Sequence, residues 1–227
     1  MSPRAVFVAG SHTDIGKTFV ACGLIAAARA AGRAVEALKP IASGFDAEDW
    51  TTSDPGRLLA ALGADLSPAA LDSMTPWRFA APLAPPMAAA LERRALPLGP
   101  VVDFCRRRQA ASEAELFVVE GVGGLMSPLA DDATGLDLME ALALPVVLVG
   151  GSYLGAISHT LTALEVLRTR GQTVMCLVIS EDGADDAPDF TDSLAMITRH
   201  AGPTQVLAAA RDGSTAWAGT VLAELWR

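Results

Sequence analysis

The stretch GSHTDIGKT, Gly10–Thr18, decides the fold. It matches G-x-x-x-x-G-K-[ST] without deviation. A buried-strand run, AVFVAG (5–10), leads into it, and an apolar, alanine-rich helical stretch (17–31) leads out. In that context glycines let backbone N–H groups approach phosphate oxygens, and the helix N-terminus adds a favourable dipole. Lys17 is placed to reach β- and γ-phosphates, and the Thr18 hydroxyl to ligate Mg²⁺. His12, a lone histidine inside the loop, reads as a polar surface residue.

Outward from the loop, short apolar runs alternate with longer helical stretches. The runs AVEALKP (34–40), ELFVVEG (115–121), PVVLVGG (145–151) and TVMCLVIS (173–180) read, with 5–10, as strands buried on both faces. Helices are expected over 17–31, 54–62, 99–112, 136–143, 156–170, 186–200 and 214–226. Gly32 and Gly171 follow two of them, where helices commonly end. This β-α-β alternation predicts an α/β fold, a mostly parallel sheet with helices on both faces. The proline-rich region 75–100 is too apolar for a flexible tether and is expected to be an ordered loop with a short helix near 86–93. A single domain over 1–227 is expected.

The formal net charge is -9. Such a chain repels nucleic acid and anionic membranes at long range, so neither is expected as a partner. The basic run Arg106-Arg107-Arg108 reads as a solvated helix face. Three widely spaced cysteines, Cys22, Cys105 and Cys176, fit neither a disulfide framework nor a metal site. The first apolar run is far too short to span a bilayer, and a cytoplasmic location is expected.

In open α/β sheets ligands collect beyond the carboxyl ends of the strands. Here those ends carry the Gly10–Thr18 loop, Lys39-Pro40-Ile41-Ala42-Ser43-Gly44, Glu120-Gly121-Val122-Gly123-Gly124, and Gly150 to Gly155. The chain contains only two lysines, Lys17 and Lys39, where ordinary composition supplies on the order of a dozen. Both lie at these ends, where a compact ammonium is not replaced by a broad guanidinium. Glu120 closes an apolar strand, the position of a magnesium-binding carboxylate. Asp54 opens a helix, where capping or dipole stabilisation competes with a metal role.

Taken together, GSHTDIGKT, LKPIASG, TSD, VVEGVGGLMSPL and YLGAISHTLTALEVL, in this order and spacing, resemble the dethiobiotin synthetases of biotin biosynthesis. The resemblance runs from residue 4 to about 180, and the K-P-x-x-S-G and E-G-x-G-G segments make it specific. It implies a P-loop NTPase type of fold. In that family 7,8-diaminononanoate reacts with CO₂ (supplied as bicarbonate) to give a carbamate. ATP phosphorylates the carbamate, and the neighbouring amine closes a cyclic urea.

The resemblance implies that Asp14, Ile15, Gly16, Lys17, Thr18 and Phe19 cradle the phosphates. Thr18, Asp54 and Glu120 would hold Mg²⁺, directly or through water. Lys39, with Lys17, would be catalytic, and Thr13 and Ser43 would contact substrate. Glu120, Gly121, Val122 and Gly123 would line the pocket. Amides of Leu154, Gly155, Ala156 and Ile157 would receive the substrate carboxylate, with a homodimer partner completing that pocket.

Two departures stand out. The family's Asn-Asp pair, whose amide reads adenine, is here Ser180-Glu181, and a hydroxyl does not reproduce a bidentate amide. The family's G-x-I-P-type loop against the base is replaced by GPTQVLAAARDG (202–213). Ser180 and Glu181 are therefore nucleotide contacts by position, with base preference open. Competing readings are another ATP-dependent ligase of the same P-loop group and a ParA- or MinD-like switch ATPase. The latter carries an extra lysine early in the loop, where this chain has Ser11, His12 and Thr13.

Overall fold

The structure, a computed structural model, describes residues 4–227. Strand β1 (Arg4–Gly10) runs into helix α1 (Lys17–Ala30), which returns the chain to β2 (Val35–Leu38). A short strand β3 (Ile41–Ser43) precedes α2 (Asp54–Leu62) and α3 (Pro68–Met74). Then β4 (Trp77–Phe79) pairs in parallel with β3, and α4 (Pro85–Leu91) and α5 (Leu98–Ala111) lead to β5 (Leu116–Glu120). The small hairpin β6 (Pro128–Ala130) and β7 (Ala133–Thr134) opens into α6 (Gly135–Leu142). Regular alternation follows: β8 (Val146–Gly151), α7 (Ala156–Thr169), β9 (Val174–Ser180), α8 (Phe190–His200), β10 (Val206–Ala209) and α9 (Ala216–Leu225).

Six strands form one parallel sheet in the order β10-β9-β8-β1-β5-β2. Side chains alternate across it. Val6 and Val8 share a core with Val20 and Leu24 of α1 and Trp217 and Val221 of α9. Phe7 and Ala9 share the opposite core with Val101 of α5, Met139 of α6 and Leu164 of α7. Because helices cover both faces, the strands are apolar throughout rather than alternating. The register sets Val8 opposite Glu120 and Gly10 opposite Val149, so the carboxyl ends of β5 and β8 flank the Gly10–Thr18 loop.

The five expected strands are present. The sixth, β10, falls within the segment read as a loop, because its alanines have little strand propensity and only pairing with β9 holds them extended. The short elements α3 and β4 were likewise not expected. The helix expected from 186 begins at Phe190, where the Asp189 side chain accepts from the Asp192 amide.

The basic run on α5 is only partly a solvated face. Arg108 pairs with Glu36 at 2.5 Å, and Arg106 donates to the Ala141 carbonyl at 2.6 Å. All three cysteines are free, and burial pushes each thiol up to about 12, as inert core residues behave.

Candidate active site

The loop after β1 is built around positions that refuse a side chain. Gly16 has φ 97°, and a Cβ there would collide with the Ser180 hydroxyl. A Cβ on Gly10 would fall 2.9 Å from both the His12 carbonyl oxygen and Lys17 Cδ. The amides from Thr13 to Phe19 make no hydrogen bond among the described residues. That leaves a cluster of free N–H donors at a helix N-terminus, the arrangement a phosphate chain requires. Lys17 is 7% exposed and donates to the His12 carbonyl at 3.1 Å. Burial, and after it the charge of Lys39, pushes Lys17 down to about 8.

The second lysine lies in a denser charge cluster. Lys39 Nζ donates to Glu120 Oε1 at 2.5 Å, and Asp54 Oδ2 lies 3.0 Å from the same nitrogen. Burial alone would lower the Lys39 pKa, but the two carboxylates overcome it and hold it above the ordinary lysine value. Burial would raise Asp54, yet Lys39 holds it below the usual carboxylate range. Thr18 Oγ donates to Glu120 Oε1 at 2.7 Å. Two donors therefore crowd one oxygen of Glu120, while the other, Oε2, is buried with no partner.

An orphaned carboxylate oxygen in a buried site is costly unless a cation or donor meets it. Glu120, Asp54 and the Thr18 hydroxyl form an all-oxygen set that suits a hard divalent ion. No group of three or more His, Cys, Asp or Glu residues able to hold a metal exists among the described residues. This set matches Mg²⁺ bound jointly by protein and phosphate oxygens rather than by a protein cage.

These groups open on a cleft of about 240 Å³ lined by Thr13, Lys17, Lys39, Ser43, Asp54, Val122 and Gly123, among others. Gly121 lets the β5 loop pass closely: a Cβ there would stand 3.0 Å from the Phe7 ring. Ser180 and Glu181 lie elsewhere. They line a separate recess on the other flank of the loop, with Asp14 and Ile15. Leu154, Gly155, Ala156 and Ile157 do not line the cleft either. Leu154 and Gly155 lead into α7 at the surface, Leu154 89% exposed and Gly155 at φ 97°, while Ala156 is buried and Ile157 half-buried. The Ala156 amide already donates to the Tyr153 carbonyl at 2.9 Å, so it is not free for a carboxylate.

His12 is not alone. Its ring stacks on His159 at 5.5 Å, and Tyr153 OH lies 2.6 Å from His159 Nδ1. Only the fold joins these three residues, and no spacing in the sequence signals the cluster.

A phosphate-type loop on the central strand of a parallel sheet, flanked by buried lysine and carboxylates at the neighbouring strand end, defines a P-loop nucleotide-binding protein. Residues 4–210 match the AAA domain family. The fold resembles the septum site-determining protein MinD complexed with Mg-ADP from Pyrococcus horikoshii OT3. That likeness has a TM-score of 0.55 at 13% identity, over 98% of this chain and 86% of that one. The MinC:MinD complex of Aquifex aeolicus is similar, with a TM-score of 0.53 at 7% identity over 96% and 86%. At such identities the likeness is one of fold alone.

Closer in sequence is the ATP-dependent dethiobiotin synthetase BioD of Phenylobacterium zucineum (strain HLK1). It is 53% identical over 215 residues, 95% of this chain and 92% of that protein. The protein of the same name from Caulobacter vibrioides (strain NA1000 / CB15N) is 48% identical over 93% and 94%. The chain belongs to the ATP-dependent dethiobiotin synthetase family.

Proposed function

We propose that the protein is a Mg²⁺-dependent cyclo-ligase that makes dethiobiotin from 7,8-diaminononanoate, CO₂ and ATP. The observation that carries this reading is that Lys17, Lys39 and Asp54 line one cleft beside free loop amides, with Glu120 bonded to Lys39 and Thr18 behind its wall. One substrate amine adds to the carbon of CO₂ and loses a proton, giving a carbamate. The carbamate oxygen, already anionic, attacks the γ-phosphorus and ADP leaves. The second amine then adds to the carbonyl carbon, the C–O bond to phosphate breaks, and the ring closes with loss of a proton.

Phosphoryl transfer does not depend on a strong general base, because the carbamate is already an anion. It needs in-line placement and charge neutralisation, which Lys17, Lys39 and the amides of Asp14 to Phe19 supply. Ring closure needs the second amine neutral. Thr18, Asp54 and Glu120 would hold Mg²⁺, whose charge offsets that of the β- and γ-phosphates. Thr13 and Ser43 contact the substrate from the cleft wall, with Gly121, Val122 and Gly123 along its edge. Ser180 and Glu181 meet the nucleoside on the opposite flank.

The amides of Leu154, Gly155 and Ile157, at the opening of α7, receive the substrate carboxylate across a homodimer contact. Small-molecule substrates fit a cytoplasmic enzyme. No helix among the described residues is long and apolar enough to cross a membrane.

Phosphate release tests this reading. A synthetase releases phosphate from ATP only when both the diamine and bicarbonate are present. Steady hydrolysis of ATP alone, unchanged by either addition, would instead mark a switch ATPase.

A further inference from the structure

Arg211 lies just beyond β10, two residues after the strand's last residue, Ala209. Its guanidinium carbon stands 4.6 Å from the centre of the Phe19 ring, and Phe19 directly follows the Lys17-Thr18 pair of the phosphate loop. Glu181 holds Arg211 twice. The Arg211 amide donates to Glu181 Oε2 at 2.7 Å, and Arg211 Nε donates to the Glu181 carbonyl at 3.1 Å. The two terminal nitrogens make no hydrogen bond among the described residues, and the residue is exposed. A planar cation is thus fixed along one face and one edge, with its second face and its remaining donors open.

Beside it lies a recess of about 60 Å³ lined by Asp14, Ser152, Ser180, Glu181, Asp182 and Arg211. Ser180 is 3% exposed, and its hydroxyl has no partner. Ser152 is already committed, accepting from the Asp182 amide at 2.8 Å. The recess is too small for a base but admits the polar edge of one. Lys39, Asp54 and Glu120 all sit on the other flank of the loop. A triphosphate whose γ-end points to them must extend its nucleoside toward Arg211.

We infer that Arg211 is the platform for the nucleobase, which stacks on the guanidinium face opposite Phe19 and turns its edge toward Ser180 and Glu181. This rests on the nucleotide-dependent function proposed above. Stacking on a planar cation is tolerant of base identity, because every base has a π-face. The edge meets mixed partners: the unpartnered Ser180 hydroxyl can donate or accept, and the nearby carboxylates suit exocyclic amines. A site that reads one hydrogen-bonding pattern rejects the wrong ligand by roughly 10⁴–10⁵. Here ATP, GTP, CTP and UTP are expected to differ in affinity by no more than about tenfold.

The test is calorimetric binding of ADP, GDP, CDP, UDP and tripolyphosphate to wild type, Arg211→Ala and Arg211→Lys, with folding checked by circular dichroism. Both variants should bind every diphosphate about tenfold more weakly, the scale of one cation–π contact. Tripolyphosphate, which has no base, should bind all three proteins alike. Unchanged ADP binding in Arg211→Ala would overturn the inference. So would an equal loss for tripolyphosphate, or full recovery in Arg211→Lys, since either makes Arg211 a phosphate-steering charge. A wild type that prefers ADP by more than about a thousandfold would overturn it too. Folded wild-type protein that binds neither nucleotide nor tripolyphosphate would instead defeat the proposed function itself.

Discussion

The Lys39 ammonium bridges two carboxylates, lying 2.5 Å from Glu120 Oε1 and 3.0 Å from Asp54 Oδ2. These are the carboxylates proposed to hold Mg²⁺, so one buried cation offsets part of their negative charge before metal and nucleotide arrive. Glu120 keeps its second oxygen without a partner for the incoming ion. The lysine and the metal are thereby coupled: each lowers the repulsion that the other's partner carboxylates would face alone.

Lys39→Met breaks that coupling. Removing one partner of a buried pair leaves an uncompensated charge on Glu120 and costs about 3–5 kcal/mol. Urea denaturation should show this loss, and turnover should fall by about 10² or more. If the ammonium also keeps the second substrate amine neutral, the rising limb of the pH–rate profile moves upward in the variant. An unmoved limb with a lowered rate would leave Lys39 only its phosphate role.

Lys17 carries an opposite balance of stability and function. Its pKa is about 8 in the fold against an ordinary 10.5. Between these values the unfolded chain holds more protons, so this group makes stability rise with pH; below 8 its full cost is present. Lys17→Met should therefore stabilise the free protein at pH 7, by about 1–3 kcal/mol, while weakening ATP binding about 10- to 100-fold. Because bound phosphates favour the charged form, ATP binding at pH 8.5 should take up protons. Calorimetry in buffers of different ionisation heat would detect this, and at pH 6.5 the uptake should be much smaller.

Gly16→Ala tests the phosphate loop. The substitution forces an L side chain to φ 97° and drives its Cβ into the Ser180 hydroxyl. A stability loss of more than about 1 kcal/mol is expected, together with loss of nucleotide binding. Wild-type affinity in the variant would show that the loop rearranges before phosphates bind.

Metal removal separates chemistry from folding. No protein cage holds the fold together among the described residues, so EDTA should leave the melting temperature of the free protein unmoved and stop turnover. Glu120→Gln should raise the Mg²⁺ concentration needed for half-maximal rate. An unchanged requirement would place the ion on other ligands.

The layers legible in the sequence are those with local signals. Uninterrupted apolar runs marked five buried strands, and G-x-x-x-x-G-K-T marked the turn after the first. Strand-end logic joined Lys39 to Glu120 across 81 positions. β10 carried no such signal, since alanines become a strand there only through β9. The Phe19–Arg211 and His12–His159 pairs were invisible for the same reason: each joins residues on different elements, and neither has a spacing that local chemistry requires. The α7 N-terminus was legible as a helix start, but its place outside the cleft follows only from the fold.

The most direct measurement is mass spectrometry of the product formed from 7,8-diaminononanoate, bicarbonate, Mg²⁺ and ATP, with Lys39→Ala as control. Dethiobiotin from wild type, with little or none from the variant, is the predicted result. Folded wild-type protein that binds ATP yet forms no dethiobiotin would contradict the proposed function.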